Sequence, residues 1–204
     1  MIHTRMIDRA KMGAAIAVVL VALFLLAGCG KQAATPTVTP PTTAASAKTG
    51  FPAAVSAIST TAPDAKLLVV QSATAISTTG TPVWSYLFGS PKTGKTYQVI
   101  VLSGKAIRTT EYGTADLTPA QWAQVPPVDK WKINSPEAYE KARATANANP
   151  SSAYTMGFLM FLPPTAVGSK TKPLTWYVSF DPQTSNATTG TVGIDITTGA
   201  VVAK

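Results

Sequence analysis

Apolar residues alternate with polar ones in two runs of the chain, each closing on a glycine turn. Tyr97, Val99 and Val101 precede Ser103-Gly104, and Val192, Ile194 and Ile196 precede Thr198-Gly199, at the same distances from the two glycines. A period of two is what a strand with one buried face requires. Each run follows a second strand signal of the form W-x-x-x-F, Trp84 to Phe88 and Trp176 to Phe180. The alternation places Trp84, Tyr86 and Phe88 on one face, and Trp176, Val178 and Phe180 on the matching face, as core aromatics. Further upstream, "KLLVVQSATAI" and "AYTMGFLMFL" read as a third strand in each set.

A helix signal precedes each set. Ser135 as cap, Pro136 in the first turn, and Ala138, Tyr139, Ala142 and Ala146 on one side predict a helix that Asn149-Pro150 ends. Glu137 and Lys141 form an i,i+4 pair on its solvated face. A weaker helix is predicted around Pro52 to Thr61, with Ala54, Val55 and Ile58 as its apolar positions. Between the sets, "DLTPAQWAQVPPVDKWKI" opens a short helix at Thr118-Pro119 and breaks at Pro126-Pro127. Trp122 and Trp131 in this connector are too apolar to be left in solvent. They are expected against one half or in a cleft between the two, where they are the candidate ligand-contacting residues.

The chain thus reads as α+β with two similar halves, each a helix packed on a small antiparallel sheet. The expected divisions are 1–28 export signal, 29–50 tether, 51–113 first repeat, 114–133 connector and 134–204 second repeat. "WKINSPEAYEKA" (131–142), "WYVSF" (176–180) and "VGIDITTGAVV" (192–202) resemble the helix entry, a strand and the closing hairpin of a PepSY-like module. The first half resembles it through "WSYLF" and "YQVIVLSGKAI". The resemblance implies a small extracytoplasmic unit whose partner is a protein such as a secreted peptidase.

The N-terminus sets the expected location. Arg5, Arg9 and Lys11 precede an uncharged apolar run, Gly13 to Ala27, as in an export signal. Residues 12–30 are nineteen uncharged positions, which as an uncleaved helix would just span a bilayer. The ending Leu26-Ala27-Gly28-Cys29 instead looks like a lipoprotein lipobox, in which Cys29 becomes the lipidated N-terminus. That predicts a protein held at the cell membrane by acyl chains and facing outside the cytoplasm. Cys29 is the only cysteine in the chain, so the exported part has no internal disulfide to rely on. Residues 30–50 are rich in Thr, Ala and Pro and cannot bury enough surface to fold.

Charge and composition narrow the chemistry. Without Arg5, Arg9, Lys11 and Asp8, the 17 basic and 9 acidic residues become 14 and 8, a net of +6. An anionic membrane or wall polymer is a natural neighbour for such a chain. No dense Lys/Arg arm points to nucleic acid. The single histidine is His3, inside the signal, so the exported part can assemble neither a Ser-His-Asp nor a Cys-His set, nor a His/Cys zinc site. Asp195 is expected to point to solvent, Asp181-Pro182 to form a turn, and Ser103-Gly104-Lys105 to be a tight turn and not a Ser-Lys dyad.

One motif argues otherwise. Residues 89–96, "GSPKTGKT", match the phosphate-loop pattern G-x-x-x-x-G-K-[ST], which works when a helix follows and aims its N–H groups at phosphate. Here Lys95-Thr96 run into the alternating "YQVIVL", so a hairpin loop is predicted in its place. The expectation is a non-catalytic binding module with no cofactor, metal, nucleotide or nucleic acid. Its alternative is a structural or ligand-holding lipoprotein that takes up a small molecule or an anionic wall polymer.

Overall fold

The computed structural model describes residues 46–77, 81–161, 172–181 and 185–203. The export signal, the lipobox Leu26-Ala27-Gly28, Cys29 and the tether up to residue 45 lie outside the described residues. The fold is α+β, with one eight-stranded antiparallel sheet and three α-helices among the described residues.

Helix α1 spans Ala47–Ser59 and begins where Ser46 Oγ accepts the Thr49 N–H. Residues 46–50 therefore belong to the folded part and not to the tether, and the helix starts five residues before Pro52. Its first N–H groups find partners that the local sequence does not reveal. Ala47 N donates to Ser135 Oγ at 3.0 Å and Lys48 N to Asn134 Oδ1 at 3.1 Å. Strands β1 (Lys66–Ser72), β2 (Val83–Gly89), β3 (Lys95–Leu102) and β4 (Lys105–Thr114) follow as an antiparallel meander.

The connector holds α2 (Pro119–Gln124), closed by a Thr118/Gln121 capping box, and a 3-10 turn at Val128–Lys130. Helix α3 spans Ser135–Ala146. Asn134, not Ser135, is its cap, and it ends at left-handed Asn147 (φ 51°), before the expected Asn149-Pro150. Ala138, Tyr139, Ala142 and Ala146 are buried as their spacing predicts. Strands β5 (Tyr154–Leu159), β6 (Thr175–Phe180), β7 (Thr191–Asp195) and β8 (Val201–Ala203) complete the chain.

The strand order is β4-β3-β2-β1-β5-β6-β7-β8, so the expected pair of small sheets is a single sheet. The join is β1 against β5, with Val69 opposite Leu159, Val70 opposite Phe158 and Gln71 opposite Gly157. In β1, Leu67 to Val70 are all buried, a continuous apolar run with both faces covered. An unpaired edge there would leave buried backbone N–H and C=O groups without partners. Pairing with β5 satisfies them.

Helix α1 lies over β2, β3 and β4, and α3 over β6 and β7. Beneath and between them is the main core, in which Trp131, Trp176, Tyr86, Phe158, Met156 and Met160 are fully buried. Trp131 meets Phe158 edge-on at 5.0 Å, Phe158 meets Trp176 at 4.6 Å, and Trp176 meets Trp84 at 6.2 Å. Both indole N–H groups of Trp131 and Trp176 donate to the Ile133 carbonyl, each at 2.9 Å. Strand alternation sends Leu87, Val69 and Leu159 to the other side of the sheet. There a smaller cluster of Leu68, Val69, Trp122 and Val125 forms under α2.

The strand pairing corrects one sequence equivalence. Counting from Gly104 and Gly199 places Val99 alongside Ile194 and Val101 alongside Ile196, yet Trp84 pairs with Val101 and Trp176 with Ile194. The two W-x-x-x-F motifs are out of step by one strand period. Tyr86, not Trp84, is the residue opposite Val99.

Candidate functional site

The segment Gly89 to Thr96 carries the strongest sequence motif, and it joins β2 directly to β3. Its residues have other tasks than holding phosphate. A Cβ on Gly89 would lie 2.5 Å from Trp122 Cη2 and 2.8 Å from Leu68 Cδ1, so this glycine lets the indole close over the sheet. Gly94 has φ +69°, the left-handed turn residue. The loop N–H groups are already taken. Lys92 N donates to Asp64 Oδ2 (2.8 Å), Thr93 N to Ser90 Oγ (3.2 Å), Gly94 N to Ser90 O (2.8 Å) and Lys95 N to Thr93 Oγ1 (3.2 Å).

Asp64 occupies the anion's role in this loop, since both its oxygens also accept Ser90 Oγ at 2.9 Å. The Lys92 N–H lowers its pKa; burial opposes that, and Ser90 adds to the lowering. Lys95 Nζ, the counterpart of a phosphate-binding amine, pairs across the strands with Glu111 at 2.9 Å. Glu111 holds the amine charged and raises its pKa. An open depression of about 430 Å³ beside the loop is lined by Thr61, Pro63, Asp64, Lys92 and Thr93. Of its two charged residues, Asp64 is already hydrogen-bonded by Ser90 Oγ and Lys92 N, and Lys92 is exposed.

Trp122 and Trp131, expected against one half or in a cleft between the two, are both buried and lie in different clusters on opposite sides of the sheet. Trp122 caps Gly89 and Leu68. Trp131 is wedged among Phe51, Phe158 and Trp176. They do not form a common binding surface, because the connector crosses from one side of the sheet to the other between them.

Asp195 does not simply point to solvent. Its Oδ1 accepts Thr198 N (2.7 Å), Thr197 N (2.9 Å) and Thr198 Oγ1 (3.0 Å), building the turn between β7 and β8. Burial alone would raise its pKa, and these hydrogen bonds more than offset that, for a net lowering. Ser103 and Gly104, both at positive φ (50° and 74°), make the β3–β4 turn, with Lys105 opening β4. Glu137 pairs with Lys141 at 3.4 Å and Glu140 with Arg143 at 2.8 Å along α3. Among the described residues no three His, Cys, Asp or Glu side chains converge as metal ligands.

A feature the sequence did not single out is the meeting of the two longer helices at their N-termini. Asn134 Nδ2 donates to Ser46 Oγ at 2.8 Å, and Asn134 Oδ1 accepts both Ser135 N (2.8 Å) and Lys48 N (3.1 Å). Ser135 Oγ likewise accepts Ala47 N. The residues that open α3 thus also cap α1, and the two cap side chains, Asn134 and Ser46, bond each other. The local signal for this is only that Ser and Asn are good caps; that the two caps are shared depends on the packing.

No helix of the described residues is long and apolar enough to cross a membrane. Compared with known proteins, the chain matches no family model, no curated protein and no solved structure.

Proposed function

We propose that the chain is a lipid-anchored module of the cell envelope that acts by binding a macromolecular partner and carries out no turnover. The observation that carries this reading is Leu26-Ala27-Gly28-Cys29 at the end of an uncharged apolar run. Asp64, Asp195 and Lys95 are engaged in structural hydrogen bonds or an ion pair. The alternative is a structural or ligand-holding lipoprotein that takes up a small molecule or an anionic wall polymer; a cleft around Trp122 and Trp131, which would favour it, is not formed by these two residues, since they face different sides of the sheet.

A finer reading of the fold belongs to the same proposal: two PepSY-like repeats joined by a pseudo-twofold axis at the β1–β5 seam. Three spacings support it. The caps Ser46 and Asn134 are 88 residues apart, as are Ala47 and Ser135, and Val70 and Phe158, which face each other across the seam, share that spacing. A residue lying opposite its own counterpart is what a twofold at that point requires. A peptidase is the partner that the resemblance implies, and it would have to engage a surface other than a clean sheet edge. The ladders of both edge strands, β4 and β8, are broken by register shifts, a device that discourages strand addition.

Metabolic labelling with a fatty acid tests the anchor. Wild type should take up label and Cys29→Ala should not, while remaining folded; label on the variant, or a mature N-terminus elsewhere than Cys29, sinks it. For the mode of action, crosslinking in native membranes should retain a partner. Hydrolysis or group transfer by the purified chain would overturn the binding reading.

A further inference from the structure

Ser46, the first described residue, lies between the first turns of α1 and α3, and so at the middle of the helical side of the sheet. Only residues 30–45 separate this point from Cys29. Even fully extended they span at most about 60 Å. Three lysines surround the exit. Lys48 Nζ donates to the Lys132 carbonyl at 3.3 Å, and Lys130 ends the adjoining 3-10 turn, which Thr197 Oγ1 holds by its carbonyl. All three are exposed, and none takes part in an ion pair among the described residues.

The acids near them are few. Glu137 is paired with Lys141, Asp195 is bound within its turn, and Asp129 adjoins Lys130 in the 3-10 turn. The outward side of α1 continues the surface with Thr49, Pro52, Val55 and Ser56, with no carboxylate anywhere in the helix. The outward side of α3 differs, being laced with the Glu137–Lys141 and Glu140–Arg143 pairs of an ordinary solvated helix.

We propose that this face, Lys48, Lys130 and Lys132 with the outer side of α1, rests on the membrane and contacts the phosphates of anionic lipid headgroups. The proposal rests on the lipid-anchor reading. Basic residues are drawn to an anionic leaflet within about a Debye length of it, roughly 8 Å at physiological salt. A tether confines the domain near the bilayer, so that a contact too weak to recruit a free protein still orients a bound one. The helical side then faces the lipid, and the α2 side of the sheet faces away from it, open to a partner.

The test uses the full lipidated chain on vesicles of phosphatidylcholine alone or mixed with phosphatidylglycerol, with acetylation of each lysine read by mass spectrometry. Lys48, Lys130 and Lys132 should react several-fold more slowly on the anionic vesicles, and high salt should abolish the difference. Lys92, in the β2–β3 loop, should be indifferent to lipid composition. In the Lys130→Glu/Lys132→Glu variant, Lys48 should lose its protection while the chain still floats with the vesicles. Equal reactivity on both compositions, with flotation intact, overturns this surface and leaves the anchor standing. Flotation that Cys29→Ala does not impair overturns the anchor reading and this one with it. Equal protection by soluble polyglycerol phosphate without vesicles overturns the lipid assignment in favour of a wall polymer.

Discussion

Ile133 shows how much one backbone group can decide, because its carbonyl accepts the indole N–H of both Trp131 and Trp176. Replacing either tryptophan with Phe leaves the other donor in place. Replacing both strands a buried acceptor, which costs about 1–3 kcal/mol beyond the loss of packing. Denaturant unfolding of the two single variants and the double should therefore show a double loss greater than the sum. Gly89 is a second such position. Gly89→Ala drives a methyl into Trp122 and Leu68 and should cost about 1–3 kcal/mol by overpacking. Lys95→Ala, in the same motif, removes only an exposed ion pair and should leave the unfolding midpoint unchanged. Neither variant should alter titration calorimetry with ATP and magnesium, since the loop's N–H groups are taken by the protein itself.

At the scale of elements, the turns at Asp64 and Asp195 are both organised by a carboxylate held below its ordinary pKa of 3.8. A depressed folded-state value means that the unfolded chain binds the proton more tightly. This stability is complete above pH 3.8 and is lost as pH falls through the folded values. Asp64→Asn and Asp195→Asn should each flatten the acid limb of a stability–pH curve and leave its neutral-to-alkaline shape unchanged. The shared cap offers a different test. Asn134→Ala removes acceptors for Ser135 N and Lys48 N at once, and a lost cap costs about 0.5–2 kcal/mol. Combined with Ser46→Ala it should show a coupling energy above about 0.5 kcal/mol, because the two side chains bond each other across 88 residues of sequence. Additive losses would mean that the helices are capped independently.

For the molecule as a whole, the β1–β5 seam and the aromatic chain from Phe51 through Trp131 and Phe158 to Trp176 run through a single core. Neither group of strands can leave without exposing the other. Unfolding should be one cooperative transition, with tryptophan fluorescence and backbone circular dichroism superimposing. Gly157→Ala tests the seam, since a Cβ there would lie 2.9 Å from both the Val70 carbonyl and Gln71 Cβ. It should lower stability by about 1–3 kcal/mol while keeping that single transition. A biphasic curve in the wild type would show that the two sides of the seam fold separately.

Local pattern was enough to read the strands β2, β3, β6 and β7, the buried side of α3 and the hairpin in place of a phosphate loop, because alternation and turn residues act within a few positions of one another. It was enough too to pick out Trp84 and Trp176 as core, since side chains of that size are seldom left in water. The pattern misplaced the start of α1 and could not tell one sheet from two. Both depend on partners far along the chain: Asn134 and Ser135 supply acceptors to α1, and β5 supplies the second edge of β1. The slip between the W-x-x-x-F motifs has the same origin, for similar letters show that two strands are alike, while register is fixed by what each strand pairs with. Whether Trp122 and Trp131 share a surface was likewise a question of which side of the sheet the connector crosses to, and no stretch of sequence carries that coordinate.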